Sequence, residues 1–274
     1  MPIDPDFYTA PSYTVCLNPV EPLPATSGFP LNYARIGYNN ILFGASFSAT
    51  SDNNGSARIA NPATYDRWRP ILDPSIATLI ATTFSCDYVG IAAHNLGTVG
   101  ANLKVEVSNG GATTIVYDAI PLNDNALFIR FTAADLSTLI ITVSGVINAE
   151  IGVAYMGLEL EMMRPVYGGH TPIVLSANDK MTPQMSDGGQ FLGKQIVRQG
   201  YSTSAAFKHL EGDWYREKFQ PFVVHAKTLP YFWSWNLSEH PNDVVYGWTN
   251  ENIKPTLMGI RNWQEVTFEI EAHA

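Results

Sequence analysis

The chain carries 274 residues, 46% of them hydrophobic and 15% charged, with a net charge of −9. That acidic balance excludes phosphate-backbone binding as the main task, which needs a basic stripe, so no nucleic-acid partner is expected. Two cysteines, Cys16 and Cys86, are too few for a disulfide framework, and no apolar run approaches the roughly 20 residues that span a bilayer.

The length suggests two domains. The charged fraction lies below the roughly 25% of an average protein. Together with 12% aromatic residues it fits broad β surfaces, some buried against other subunits. The opening Met-Pro-Ile-Asp-Pro-Asp lacks the basic and apolar stretches of a secretory leader, so synthesis and folding in a cytoplasm are expected. Residues 1–30 hold Pro2, Pro5, Pro11, Pro19, Pro22, Pro24 and Pro30, which exclude helix and central strand and leave an extended arm. Phe7, Tyr8 and Tyr13 give that arm something to bury, on its own surface or on a neighbouring subunit.

Ser51 to Gly55 reads as a turn. Trp68 follows, held between Arg67 and Arg69, and Ile76 to Phe84 is an apolar strand. Asp87-Tyr-Val-Gly-Ile-Ala-Ala-His-Asn-Leu-Gly97 organises this half: a buried strand that breaks at His94-Asn95 and closes on Gly97. From Leu103 a second strand puts Val105 and Val107 on one face, Lys104 and Glu106 on the other. Strands follow at Thr113–Val116, Ala126–Phe131 with Arg130 facing out, Leu139–Val143 and Ile151–Leu160. A short helix is expected at Ala133–Leu136. Strands of this length between turns argue for a sandwich or jelly roll.

Pro, Gly and a change of composition meet at Met163–Gly169 and mark a boundary. Five of the six tryptophans lie beyond it. Glu211 to Gln220 reads as a helix ended by Pro221, and Tyr231–Trp235 and Val244–Trp248 as strands. From Arg261 the end alternates: Val266, Phe268 and Ile270 face one way, Trp263, Glu265, Thr267, Glu269 and Glu271 the other. The expected class is therefore all-β: an N-terminal sandwich or jelly roll over 31–163, and a second antiparallel domain over 164–274 with one short helix.

Chemistry is sparse. None of the six histidines has the spacing of a zinc site, and no P-loop, dinucleotide fingerprint or nucleophile elbow occurs. Neither metal nor cofactor is expected, and no catalytic residue is assigned. Asp52-Asn-Asn-Gly55 offers oxygen ligands without the calcium-loop spacing, and reads as a plain turn. Glu211 and Asp213 sit two apart, which on a helix points them in different directions, so an acid pair for hydrolysis is not supported. The stripe Tyr231, Trp233, Trp235 could stack on sugar rings, but Phe232 makes the other face aromatic too, which favours core or interface.

Two features carry a resemblance. Trp68-Arg-Pro70, then Asp87 to Gly97 and Ser108-Asn-Gly110, resembles the galactose-binding-like (discoidin-type) sandwich found in many phage structural proteins. Leu229-Pro-Tyr-Phe-Trp-Ser-Trp235, with Val244-Val-Tyr-Gly-Trp-Thr249 and the alternating end, resembles the C-terminal half of distal-tail and tail-tip proteins of long non-contractile tailed phages. The resemblance implies a non-enzymatic virion component, a homo-oligomeric ring joining the tail tube to tip or hub proteins. It implies as an alternative a carbohydrate-binding adhesin that meets a host-surface glycan. The residues it nominates for ligand or interface are Arg67, Trp68, Arg69, His94 and Asn95 in the first unit. Tyr231, Trp233, Trp235 and Trp248 stand beside them in the second.

Overall fold

A computed structural model describes residues 29–273, apart from 31, 51–54, 260 and 261. Most of the arm, Cys16 and the Ser51–Asn54 turn therefore lie outside the described residues. The chain is all-β apart from short helical pieces. In order it forms β1 (Arg35–Gly37), β2 (Ser46–Ala49), β3 (Ser75–His94), α1 (Leu96–Val99), β4 (Asn102–Ser108), β5 (Thr114–Ala119), β6 (Leu127–Ser144), β7 (Ile151–Gly157) and β8 (Leu160–Glu161). Then come β9 (Lys180–Met185), β10 (Phe191–Arg198), β11 (Gly200–Glu211), α2 (Gly212–Trp214), α3 (Gln220–Ala226), β12 (Tyr231–Ser234), β13 (Val244–Trp248), β14 (Pro255–Met258) and β15 (Trp263–His273).

The first sheet has the order β2-β3-β6-β4-β5, with β7 added on β3. Its long strands β3 and β6 pair from Ser75↔Val143 to Ile91↔Leu127, with register shifts between Ile80 and Phe84 and between Cys86 and Tyr88. Such shifts bend a strand and increase its twist, which lets the sheet curl over its own core. Leu103, Val105, Leu139, Ile141 and Val143 face that core while Lys104 and Glu106 remain partly exposed, as period-2 patterning requires. The expected helix at Ala133–Leu136 is instead part of β6. Pairing with Phe84–Cys86 supplies backbone partners that the local alanines alone could not.

The second sheet runs β11-β15-β13-β12-β1-β8, with β14 also on β15. Its core is aromatic: Phe207, Phe219, Phe222, Tyr231, Trp233 and Phe268 are buried together. The alternation read in the last strand holds, with Val266, Phe268 and Ile270 inward. The helical segment extends past its expected end at Pro221. A π turn over Tyr215–Phe219 precedes α3, which carries Pro221 in its first turn. The π turn accommodates the proline, which has no N–H to give to the preceding turn. Tyr215, Phe219, Phe222, Val223 and Ala226 form the buried stripe that holds the helix on the sheet.

β1 and β8, both inside the span assigned to the first unit, belong to this second sheet and pair with each other, Arg35↔Glu161 and Ile36↔Leu160. The sandwich thus leaves and re-enters the second sheet between two neighbouring strands. Phe232 and Tyr246 turn from the second sheet into the sandwich core. Gly90 makes room for this: a Cβ there would lie 2.6 Å from the Phe232 ring. Arg130, expected to face out, is 5% exposed and pairs with Glu159 at 2.6 Å.

Candidate functional site

The site forms where β3 stops. Ala93 holds φ 54, a conformation that L-residues adopt at a cost of roughly 1–3 kcal/mol, just before the strand's last pair, His94↔Ile151. Asn95 then ties the corner down: its Nδ2 donates to the Asn148 carbonyl at 3.1 Å, and its Oδ1 accepts from the Glu150 N–H at 2.7 Å. Gly97 is required by close approach, since a Cβ there would sit 2.4 Å from the Asn123 backbone. The Thr98 N–H and hydroxyl both donate to the Asp124 carboxylate. The His-Asn-Leu-Gly corner is thereby locked to the 123–125 and 148–150 loops.

A cavity of about 430 Å³ opens over this corner. Tyr65, Arg67, His94 and Asp124 come from the sandwich, and Tyr201 and Val245 from the second sheet. Tyr65 is 86% exposed. Glu150 clamps the rim, accepting Arg67 Nη1 at 2.9 Å and Arg69 Nε at 2.8 Å. Arg67 also donates from Nε to the Thr64 carbonyl at 3.3 Å.

His94 is the telling residue. It is 4% exposed, and its Nδ1 accepts the Leu96 N–H at 3.4 Å, which assigns the ring proton to Nε2. Nε2 makes no hydrogen bond to any described residue. Burial lowers its pKa to about 4; Arg67 pushes the same way, and the Asp124 carboxylate and Asn125 backbone offset part of the shift. At neutral pH the ring is therefore an uncharged, buried N–H donor behind the cavity wall, directed toward the Asn125 backbone.

The nominated residues separate. Arg67 and His94 line the cavity, and Arg69 and Asn95 support its rim. Trp68, taken from sequence as a loop residue available to a ligand, is fully buried. Its backbone pairs with Ile151, which turns the ring into the core. Tyr231 and Trp233 are fully buried in the second core, where Tyr231 bonds Thr249 Oγ1 at 2.6 Å. That agrees with the core reading of the aromatic stripe and removes both from any sugar platform. Trp235 donates from Nε1 to Asp243 at 3.1 Å and stacks on His240. Trp248 lines a separate small crevice with Arg198 and Glu271. Sequence reading missed Tyr65, Asp124 and Tyr201; only the meeting of distant loops makes them neighbours.

Among the described residues no cluster of three His, Cys, Asp or Glu could hold a metal ion, and no helix is long and apolar enough to cross a membrane. Cys86 is a free, buried thiol, raised to about 12 by burial and by Asp87 and Asp135.

No family model matches the chain, and no curated protein matches it. Among solved structures it is similar to a carbohydrate-binding module, CBM32-4, produced by Clostridium perfringens and determined with GlcNAc-α-1,4-galactose. The identity is 19% over 43% of this chain and 93% of that one, with a TM-score of 0.39. It is likewise similar to chitosan-binding module 1 of a chitosanase/glucanase from Paenibacillus sp. IK-5, 16% identical over 43% of this chain and 98% of that one, TM-score 0.38. A third is the C. perfringens module CBM32-5 determined with GalNAc-β-1,3-galactose, 13% identical over 43% of this chain and 99% of that one, TM-score 0.37.

Proposed function

We propose that the cavity over the His94 corner binds a saccharide. The observation that carries this reading is a cavity whose lining brings the neutral His94 ring, the Arg67 and Asp124 side chains and the exposed Tyr65 side chain together. A sugar supplies what each group lacks. A hydroxyl oxygen accepts from Nε2, a ring face stacks on Tyr65, and further hydroxyls donate to the Asp124 carboxylate or accept from Arg67. A neutral imidazole suits neutral hydroxyls, because it donates without requiring a counter-charge.

The test is glycan-array screening of the full chain followed by calorimetry. The panel includes the glycans named for the modules above, GlcNAc-α-1,4-galactose, GalNAc-β-1,3-galactose and chitosan oligomers. Binding weakened at least tenfold by His94→Ala and by Tyr65→Ala is expected. Tyr65 is on the surface, so its variant separates binding from folding. A blank array, or binding that ignores both substitutions, overturns the reading.

A second reading follows the resemblance: a ring-forming component of a phage tail tip that contacts tube and hub proteins. One observation favours it, the large apolar side chains exposed on the β9–β10 ribbon. Antibody labelling of tailed particles tests it; label confined to the tail tip is expected, and unlabelled tails would sink it.

A further inference from the structure

β9 and β10 form a two-stranded ribbon that pairs with neither main sheet. Its root is fastened where Asn178 N–H donates to the Gly200 carbonyl at 2.7 Å and Ser202 N–H to the Ser176 carbonyl at 3.0 Å. Beyond the root it stands in solvent. The register makes it two-faced. Met185↔Phe191, Pro183↔Lys194 and Met181↔Ile196 lie on one side, and Gln184↔Gly193, Thr182↔Gln195 and Lys180↔Arg198 on the other. Leu192 and Val197 occupy the two register shifts. The apolar side is exposed: Met185 by 64%, Phe191 by 68% and Ile196 by 48%. A lone ribbon of this kind is marginal in water, and an uncovered apolar face of this density marks an interface.

Charge points to the partner. Residues 179–198 carry three basic and two acidic side chains, a net +1, in a chain of net −9, so the rest of the molecule carries −10. Two copies repel body to body, and each offers a weakly basic arm to the other's acidic body. The body also has a largely apolar groove of about 480 Å³, walled by Tyr38, Phe43, Pro62, Pro221, Val224 and Leu229, with Asn39, Asn40, Tyr155 and His225 also lining it. Phe43 and Val224 are 71% and 57% exposed. Polar groups beside the groove are already engaged: Asn40 Oδ1 accepts from the Leu42 and Met156 N–H groups, and His225 Nε2 and the Tyr155 hydroxyl contact the Pro230 carbonyl. These contacts leave the exposed Phe43 and Val224 side chains as the groove's open surface.

We infer that the apolar face of the β9–β10 ribbon docks in the Tyr38–Phe43–Val224 groove of a second copy of this chain. Arm and groove are different surfaces, so the contact is heterologous and repeats around a ring or along a filament. The inference deepens the assembly reading by naming the partner. It is read on the purified chain, whereas tail location is read on particles, so the two fail separately.

The experiment is sedimentation and light scattering of the full chain over a concentration series. Wild type assembles as concentration rises. Met185→Asp with Phe191→Asp on the arm, or Phe43→Asp with Val224→Asp in the groove, each weakens assembly at least tenfold, with the melting temperature and near-UV spectrum kept. Mixing the two variants restores one contact, between the intact arm of one and the intact groove of the other, and stops at a dimer. A wild type monomeric throughout, arm variants that assemble unchanged, or a mixture that stays monomeric overturns the inference.

Discussion

Two clusters in this molecule use the same chemistry in different surroundings. Between the sheets, Arg35 and Arg130 meet Glu159, Glu161 and Asp87, and the side chains of Arg35, Arg130 and Glu159 are at most 5% exposed. At the cavity rim, Arg67 and Arg69 share Glu150 while 36% and 54% exposed. The inner cluster is buried, so its charges are held mainly by one another. Around the outer cluster water already competes, and a ligand can too. Burial, and not residue type, decides which arginine–glutamate set holds the fold and which stays free to rearrange.

Removing one partner inside should produce the largest effect. Arg130→Met leaves Glu159, fully buried, without its 2.6 Å ion pair. A loss of about 3–5 kcal/mol is expected, read from urea unfolding midpoints. Adding Glu159→Gln to Arg130→Met should recover much of it, because the orphaned charge is then gone. A loss below about 1 kcal/mol for Arg130→Met alone would mean that water reaches the cluster and that the contrast with the rim is false.

The inner cluster also sets three carboxylates, Asp87, Glu159 and Glu161, against two arginines. Burial comes first among the causes that raise Asp87 from 3.8 to about 8, with Glu159 adding to the shift and Arg130 opposing it. Glu159 is raised as well, again by burial first. A raised carboxyl pKa means that the folded state binds more protons than the unfolded state between the two values. The resulting stability is complete below about pH 4 and is lost as pH climbs through 8. His94 works in the opposite sense: its folded pKa of about 4 against 6.5 costs stability as pH falls below 6.5. His170 and His225 are also lowered, by burial. Among the described residues with shifted values, the window from 6.5 to 8 therefore belongs to the cluster. Stability should fall there by up to about 1.4 kcal/mol per pH unit for one proton, and Asp87→Asn should flatten the slope. A wild-type slope of zero in that window would show that the cluster carries no proton.

Much of the architecture was legible because local pattern and tertiary environment agree. The alternation of Leu103 to Val107 and of Val266 to Ile270 survives intact, and the His94–Gly97 corner was recognised by its break in a strand. What escaped notice depended on distant pairing. Nothing near Ala133–Leu136 reveals that Phe84–Cys86 will pair with it and extend it into strand. Arg130 sits at an outward position of an amphipathic pattern, and only the return of β8 beside β1 brings Glu159 over it. The same return moves β1 and β8 into the second sheet. At the candidate site His94, Arg67 and Asn95 could be named in advance, because a polar corner after an apolar strand is a local signal. Trp68 was misplaced because aromatic character says nothing about which way a ring turns. Tyr65 and Asp124 lie 59 residues apart and share a cavity only once both loops are built.

Glu150→Gln should have the smallest effect on folding and is the sharpest check on the contrast. The substitution removes a charge held by two arginines but preserves the backbone bond from Glu150 N–H to Asn95, so the corner remains assembled. Arg67 retains its donation to the Thr64 carbonyl. Exposed pairs of this kind contribute about 0–1 kcal/mol, so the urea midpoint should barely move. Saccharide affinity should change more than stability does, because Arg67 is no longer clamped away from the cavity it lines. A midpoint shift as large as that of Arg130→Met, with saccharide affinity unchanged, would make the rim a second piece of scaffold and leave Tyr65 and His94 to account for binding alone.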